Sequence, residues 1–480
     1  MKNLKLIFIC CVVSFVFYSC NQSSKKPVDA TEAGGVESDS LTLEAMATYS
    51  NVCSSCHGSN ILSFAGHRWK HGTERDSIFK SIKYGFEGTE MIAWESVLSD
   101  DQINNLTSYI LKEIENVEKY GVKEEKLESD IVKTELLTIK LDTVVSGMVQ
   151  PWGMVFLPSG DMLVTEQSGI LYRVEKDGKK IPISGLPKSK YRGQGGLLDL
   201  ELHPDFENNN WLYVSYSDYI IEGNDTLAGT ALSRLKFAND RLTNEEKLFE
   251  GLPYSTAGSH FAGRIEFDKD GYLFLSVGDR RKENENPQFL TNYNGKVHRM
   301  MDDGKIPSDN PFVGQDSVMQ TIYSYGHRNP QGMALNPATN QIWTHEHGPR
   351  GGDEVNIIEP GLNYGWPTIS YGIEYDGTTF TNLTEKEGME QPLLYWVPSI
   401  APSGATFVST DKYPGWEGDF LAGSLRFRYL NRCIVEGNKI IGEEPLFKGI
   451  GRVRNVRVGP DGYIYVAVEE PGIIFRLMPL

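Results

Sequence analysis

From Leu136 onward the chain repeats one unit: an apolar strand, a turn such as Pro-Ser-Gly or Pro-Asp-Gly, and a second apolar strand. The copies are MVFLPSGDMLVTE, LELHPDFENNNWLYVSY, RIEFDKDGYLFLSVGD, MALNPATNQIWTHE, the more diverged ATFVSTDKYPGWEGDFLAGS, and VRVGPDGYIYVAVEE. About six copies at intervals of ~45 to 75 residues have the spacing of four-stranded blades with insertions, each of which must stack on a neighbour to bury its faces. The fold expected for 136–480 is an all-β six-bladed β-propeller. Apolar and polar residues alternate only loosely within the strands, which leaves a pair of β-sandwiches as the alternative.

The region before the repeat has a different texture, and 480 residues exceed what one ordinary core accommodates. MKNLKLIFICCVVSFVFYSC carries two lysines and then an apolar run near the short limit for spanning a bilayer, so residues 1–19 read as an export signal. Its end, Phe17-Tyr18-Ser19-Cys20, resembles a lipobox, which makes Cys20 the lipidated first residue of the mature chain; an uncleaved N-terminal anchor is the alternative. Either way the bulk lies outside the cytoplasm, and Asn21 after the cysteine favours the outer membrane. Residues 20–40 are polar and lack the apolar surface to fold, so they form a tether.

Residues 41–115 turn helical, forming a small all-α domain. Ser99 and Gln102 have capping-box spacing, and Ile103, Leu106 and Ile110 recur at helical intervals behind them. Residues 116–135 are charged, have no sustained apolar face, and read as a linker.

Within the helical region, Cys53-Ser54-Ser55-Cys56-His57 spaces two thiols for thioether bonds to haem vinyl groups and sets an imidazole next to them for the iron. Cys53 and Cys56 are the expected covalent haem c ligands and His57 the axial one, making this a cytochrome c domain. Met91, in YGFEGTEMIAW, resembles the axial methionine of small bacterial cytochromes c, with His67 and His71 as fallback ligands. A thioether ligand raises the potential of the iron, which suits an acceptor of electrons from a reduced organic cofactor. Cys10 and Cys11 leave with the signal and Cys433 stands alone as a buried small residue, so no disulfide framework remains. The formal net charge of −17 argues against nucleic acid or an anionic membrane surface as partner.

Several long segments of the repeat region, GQGGLLDLELHPDF, SHFAGRIEFDKDGYLFLSVGD, IYSYGHRNPQGMALNP, EHGPRGGDEVNIIEPGLNYGWP and GRVRNVRVGPDG, occur together in one order. In this the chain resembles the soluble pyrroloquinoline-quinone (PQQ)-dependent aldose sugar dehydrogenases, relatives of soluble glucose dehydrogenase, from about Gly147 to the C-terminus. The resemblance implies a six-bladed propeller that oxidises an aldose to its lactone. His260 would be the general base on the anomeric hydroxyl, with hydride passing to C5 of the quinone. Arg328 would share the catalytic centre with it. Arg328, Asn329, Gln194, Arg452 and Arg454 match cofactor contacts, guanidinium forks being suited to the three carboxylates of PQQ. Arg426 matches a cationic cofactor ligand less closely, and Tyr375 would line the pocket. Arg457, by contrast, has the plausible alternative of a surface charge.

The same resemblance implies calcium, with the Gly348 and Pro349 carbonyls on a cofactor ion and Glu354 and Tyr364 on a structural one. An Asp353–Glu354 solvated turn is the alternative. Ser259 stands where the soluble glucose dehydrogenase pattern has an acidic residue, so sugar contacts are expected to differ. Electrons would pass from the quinone to haem c and then to a downstream acceptor. Two other functions are compatible with the sequence: a quinone-free propeller acting as a carbohydrate-binding or docking module beside a cytochrome, and oxidation of a non-sugar alcohol.

Overall fold

The computed structural model describes residues 40–53, 74–86, 91–120, 126–374 and 379–480. Six antiparallel sheets are arranged as the repeat requires, five with four strands and one with five. The innermost strands are Pro151–Phe156, Leu197–Leu202, Ala262–Phe267, Pro330–Leu335, Pro402–Phe407 and Val453–Val458, and each contacts the next around a closed ring. We number the blades one to six in that order.

The ring is closed by chain segments from both ends of the propeller. In the sixth blade Thr138–Val145 pairs with the C-terminal strand Ile473–Pro479, with Ile139 opposite Pro479. The edge strand Ile131–Lys133 then adds to Thr138–Val145, so part of the charged run 116–135 belongs to the sixth blade's sheet. The helix ahead of it, Asp100–Tyr120, also extends into that run.

The loose alternation within strands has a physical cause. A blade is covered on both faces by its neighbours, and the buried apolar residues collect in six wedges, one between each successive pair of blades. Both sides of a strand such as Leu273–Val277 are therefore buried, and period-two patterning is lost. Cys433 lies in the wedge between blades four and five, fully buried beside Phe420, as a small apolar residue would.

Helices Ser40–Thr48, Arg75–Tyr84 and Asp100–Tyr120, with a π-helical turn at Tyr49–Cys53, form the small N-terminal unit. The capping box closes as its spacing predicts: Gln102 N donates to Ser99 Oγ at 3.2 Å, and Ser99 N donates to Gln102 Oε1 at 3.0 Å. Ile103, Leu106 and Ile110 are buried with Tyr49, Ile78, Ile82, Trp94 and Leu98, and Cys53 and Met91 pack at the edge of that cluster. Leu43 and Met46 remain exposed. Cys20, Cys56, His57, His67, His71 and Tyr375 lie outside the described residues. Among the described residues no helix is long and apolar enough to cross a membrane.

Candidate active site

One mouth of the propeller is formed where the innermost strands begin, and most of the residues singled out in the propeller sequence gather there. Gln194 precedes the second innermost strand, His260 the third, and Arg328 and Asn329 the fourth. Arg452 and Arg454 flank the start of the sixth, and Arg426 follows the second strand of blade five at the same end.

His260 is buried, and its Nδ1 lies 2.7 Å from Asp279 Oδ1. The register explains the meeting: the hairpin pairs Ala262 with Val277, so continuing outward along both strands sets His260 opposite Asp279. Asp279 also accepts from the Trp366 indole Nε1 at 2.8 Å and from Arg281 N at 2.8 Å. Burial alone would push the Asp279 carboxyl up, but the charges of His260 and Arg328 and these hydrogen bonds outweigh it, and it sits below the usual carboxylate range.

The backbone here is strained. His260, Ala262, Arg280 and Arg281 all have positive φ, at 58°, 53°, 58° and 55°, a region costly for residues with a Cβ. Side chains hold it in place. Gln194 Oε1 accepts from His260 N at 2.8 Å, and Asn329 Oδ1 accepts from Ala262 N at 3.1 Å. The fully buried Arg280 guanidinium donates to the Ser259 and Ala257 carbonyls and stacks 3.5 Å above the Phe261 ring; burial lowers its pKa to about 9.

Arg328 is fixed from both ends. Its N donates to Glu346 Oε2 at 2.6 Å, and its guanidinium donates to the Gly348 and His347 carbonyls at 2.7 and 3.1 Å. Across the mouth, Arg452 Nε and Arg454 Nε donate to the two oxygens of the buried Glu469, at 3.0 and 2.7 Å. One carboxylate thus holds both guanidinium groups in one orientation. Asn329 Nδ2 is buried and has no hydrogen-bond partner within the protein, a donor left for a ligand to satisfy. This donor and the arginine set suit a polyanionic cofactor.

Among the described residues no group of three or more His, Cys, Asp or Glu side chains could hold a metal ion. The calcium ligands implied by the resemblance include backbone carbonyls, and the local geometry suits them. A Cβ on Gly348 would lie 2.3 Å from the carbonyl oxygens of both Gly351 and Gly352, so a glycine is required where these oxygens crowd together. Pro349 is buried beside it. Burial and the neighbouring carboxyls of Glu346 and Asp353 push Glu354 well above its ordinary range, a repulsion that a divalent cation would relieve. The Tyr364 ring stacks 4.6 Å from His327, and its hydroxyl donates to the Ile357 carbonyl and accepts from Glu359 N.

Arg457 corrects the surface-charge alternative. It lies in the channel, where its guanidinium is 3.0 Å from Glu201, 3.4 Å from Glu266 and 4.0 Å from Asp199. Asp353 likewise is not a solvated turn residue. It is fully buried and accepts from Ser399 Oγ, Gly348 N and Ala401 N. Sequence reasoning missed Asp279, Trp366, Glu469 and Lys296. Lys296 is fully buried, donates to the Asn286 and Asn294 carbonyls, and is lowered by burial to about 7. Only Asp279 carried a usable signal, its position at the end of the strand paired with that following His260.

Comparison with known proteins agrees with this geometry. Residues 148–476 match the family model for glucose/sorbosone dehydrogenase, and residues 41–110 match the model for cytochrome c oxidase, cbb3-type, subunit III. Aldose sugar dehydrogenase of Escherichia coli is 40% identical over 358 residues, covering 72% of this chain and 93% of that protein. Quinoprotein glucose dehydrogenase B of Acinetobacter calcoaceticus is 26% identical over 72% of this chain and 88% of its own length. The apo-form crystal structure of the E. coli soluble aldose sugar dehydrogenase has a TM-score of 0.68 at 39% identity, covering 71% of this chain and 100% of that one. The PQQ-bound aldose sugar dehydrogenase of Streptomyces coelicolor has a TM-score of 0.59 at 27% identity, covering 71% and 98%. With its propeller, its ring of polar groups at one mouth and a family match over most of its length, this chain belongs to the glucose/sorbosone dehydrogenase family.

Proposed function

We propose that this protein is an extracytoplasmic, PQQ-dependent aldose dehydrogenase that converts the anomeric hydroxyl of an aldose to a lactone and passes the electrons to its own haem c. The pairing of buried His260 with ionised Asp279, beside the unsatisfied Asn329 Nδ2, carries the reading. When bound, PQQ supplies a two-electron acceptor, calcium a Lewis acid and haem c a one-electron acceptor.

The side chains divide the remaining work. Asp279 accepts from Nδ1 of His260, which leaves Nε2 as the basic nitrogen of the neutral ring. That nitrogen takes the proton of the anomeric hydroxyl as C1 loses hydride, and Asp279 stabilises the imidazolium so formed. Gln194 holds the strained His260 backbone through its N–H. Arg328, Arg426, Arg452 and Arg454 are the cations that would hold the cofactor carboxylates and offset charge developing on the quinone oxygens, and Asn329 adds a neutral donor. Gly348 and Pro349 would offer their carbonyls to a calcium at the cofactor, and Glu354 and Tyr364 would serve a structural one.

The N-terminal unit is assigned as the cytochrome. Cys53 and Met91 both pack against one apolar helical cluster, which is where a covalent attachment point and an axial ligand of one haem would be expected. The proposed organisation is signal 1–19, tether 20–40, cytochrome 41–115, linker 116–135 and propeller 136–480. Lipid on Cys20 would hold the protein at the envelope, on the periplasmic side of the outer membrane.

The test loads haem-containing protein with PQQ and calcium, then adds a panel of aldoses while following an artificial dye and the haem absorbance. Quinone-dependent dye reduction with haem reduction is expected. Bound quinone and haem with no turnover of any aldose would overturn the reading.

A further inference from the structure

Trp366 has no part in the roles assigned above, yet its side chain joins the general base to the cofactor cations. It lies in the segment between the third and fourth strands of blade four, Asp353–Ile358 and Leu394–Trp396, and reaches blade three. The buried indole makes two contacts of different kinds. Its Nε1 donates at 2.8 Å to Asp279 Oδ2, the oxygen that does not face His260, and its ring lies by the Arg328 guanidinium, whose Cζ is 5.4 Å from the ring centre.

The ring is aimed by its surroundings. Trp366 N donates to the Gly326 carbonyl at 2.9 Å, and the Trp366 carbonyl accepts from Gln288 Nε2 at 2.8 Å. Gln288 of blade three and Asn363 of blade four exchange side-chain amide bonds at 2.8 and 3.0 Å, and Asn363 Oδ1 also accepts from Gly365 N at 2.9 Å. At Gly326 φ is 77°, and a Cβ would lie 2.2 Å from Asn363 Oδ1, so a glycine lets the two blades approach here. Phe380 meets the indole edge to face, with ring centres 5.2 Å apart. Filling the space between blades needs a ring; it does not need an indole N–H that meets the carboxylate paired with the base.

The charged groups facing Asp279 are His260, Arg280, Lys296 and Arg328. Trp366 adds a neutral donor to them. With Oδ1 held by His260 Nδ1 and Arg281 N, and Oδ2 by the indole, the carboxylate cannot turn without breaking a hydrogen bond.

We propose that Trp366 is a positioning residue that couples the general base to the cofactor site: its N–H holds Asp279 in line with His260, and its ring steadies Arg328. The inference rests on the dehydrogenase reading above and acts through two residues which that reading already uses.

The test separates the two contacts with two substitutions in the full chain. Trp366→Phe keeps a ring by Arg328 and removes the N–H, whereas Trp366→Met removes both. With quinone and calcium loaded, Trp366→Phe should lose about tenfold in kcat with KM within about twofold of wild type. The acid limb of its pH profile should move to higher pH, since a carboxylate that has lost a donor holds the imidazolium more tightly. Titration of quinone-free protein with PQQ should give wild-type affinity for Trp366→Phe and roughly three- to tenfold weaker binding for Trp366→Met. Trp366→Phe with wild-type kcat and pH profile would overturn the positioning of the base, and Trp366→Met binding PQQ as tightly as wild type would overturn the link to the cofactor site. A lower kcat with an unmoved pH profile and a lowered Tm would show packing alone and overturn the proposal as well. Wild type that binds quinone and turns over no aldose would instead remove the reading on which the inference rests.

Discussion

His260 Nδ1 and Asp279 Oδ1 stand 2.7 Å apart in a buried site, just beyond the paired ends of two strands of one hairpin that opens into the mouth of the propeller. Asp279 touches no reacting atom in this account and acts by positioning, fixing the tautomer and orientation of the imidazole. Asp279→Asn keeps the shape and removes the charge. Its kcat should fall by roughly a hundredfold or more, with quinone affinity close to wild type. The pH profile of kcat should also move, which a merely structural role would not produce. A near-wild-type kcat would show that the pairing is only structural.

The arginine pair supplies a second prediction. Arg452 and Arg454 share Glu469, whose carboxyl burial would raise but the two guanidinium charges bring below its usual range. Losing a charge-assisted hydrogen bond costs roughly 1.5 to 3 kcal/mol, so Arg454→Met should weaken PQQ binding about ten- to a hundredfold. Glu469→Gln should weaken it less, because both cations remain while their common anchor loses its charge. Quinone titration monitored by fluorescence checks both. Unchanged affinity in Arg454→Met would remove that residue from the cofactor site.

Arg457 tests the channel rather than the chemistry. It is the cation between Glu201 and Glu266, both of whose carboxyls are pushed upward by burial. Arg457→Met leaves those groups without their partner, and breaking a buried pair from one side costs roughly 3 to 5 kcal/mol. Denaturant unfolding of the propeller should register that loss, whereas a surface arginine would change stability by well under 1 kcal/mol.

His298 gives the protein a pH dependence of known sign. Burial holds its folded pKa down to about 3, while its ring bonds Thr321 Oγ1 and the Tyr293 carbonyl. Between that value and about 6.5 the unfolded chain binds the proton and the folded chain does not, so stability rises with pH. The contribution is fully present above about pH 6.5 and is lost by about 1.4 kcal/mol per unit as pH falls through this window. Melting curves between pH 5 and 7 should show the slope, and His298→Gln should flatten part of it.

Much of this architecture was legible in the sequence because it is local. Each strand–turn–strand copy is a hairpin closed by its own turn, and counting copies gives the blades; the Ser99–Gln102 capping box is likewise contained in one helical turn. His260 and the arginines were legible through motif resemblance. Trp366 was not, since it reaches Asp279 from a loop in the next blade, far along the chain. Glu469 lies only 15 and 17 residues from its arginines, just past the strand paired with theirs, and stayed hidden because no motif in its own segment marks it. Arg457 was open to misreading because the polar side of a strand usually faces water, whereas on an innermost propeller strand it faces a closed channel.

The most direct test of the account is the turnover of His260→Gln after loading with PQQ and calcium, measured beside wild type with one aldose and an artificial dye. We predict that kcat falls by about a thousandfold, in line with loss of a general base, while PQQ still binds with near-wild-type affinity. Turnover within a few-fold of wild type, with the quinone confirmed in place, would contradict the assignment of His260 as the base.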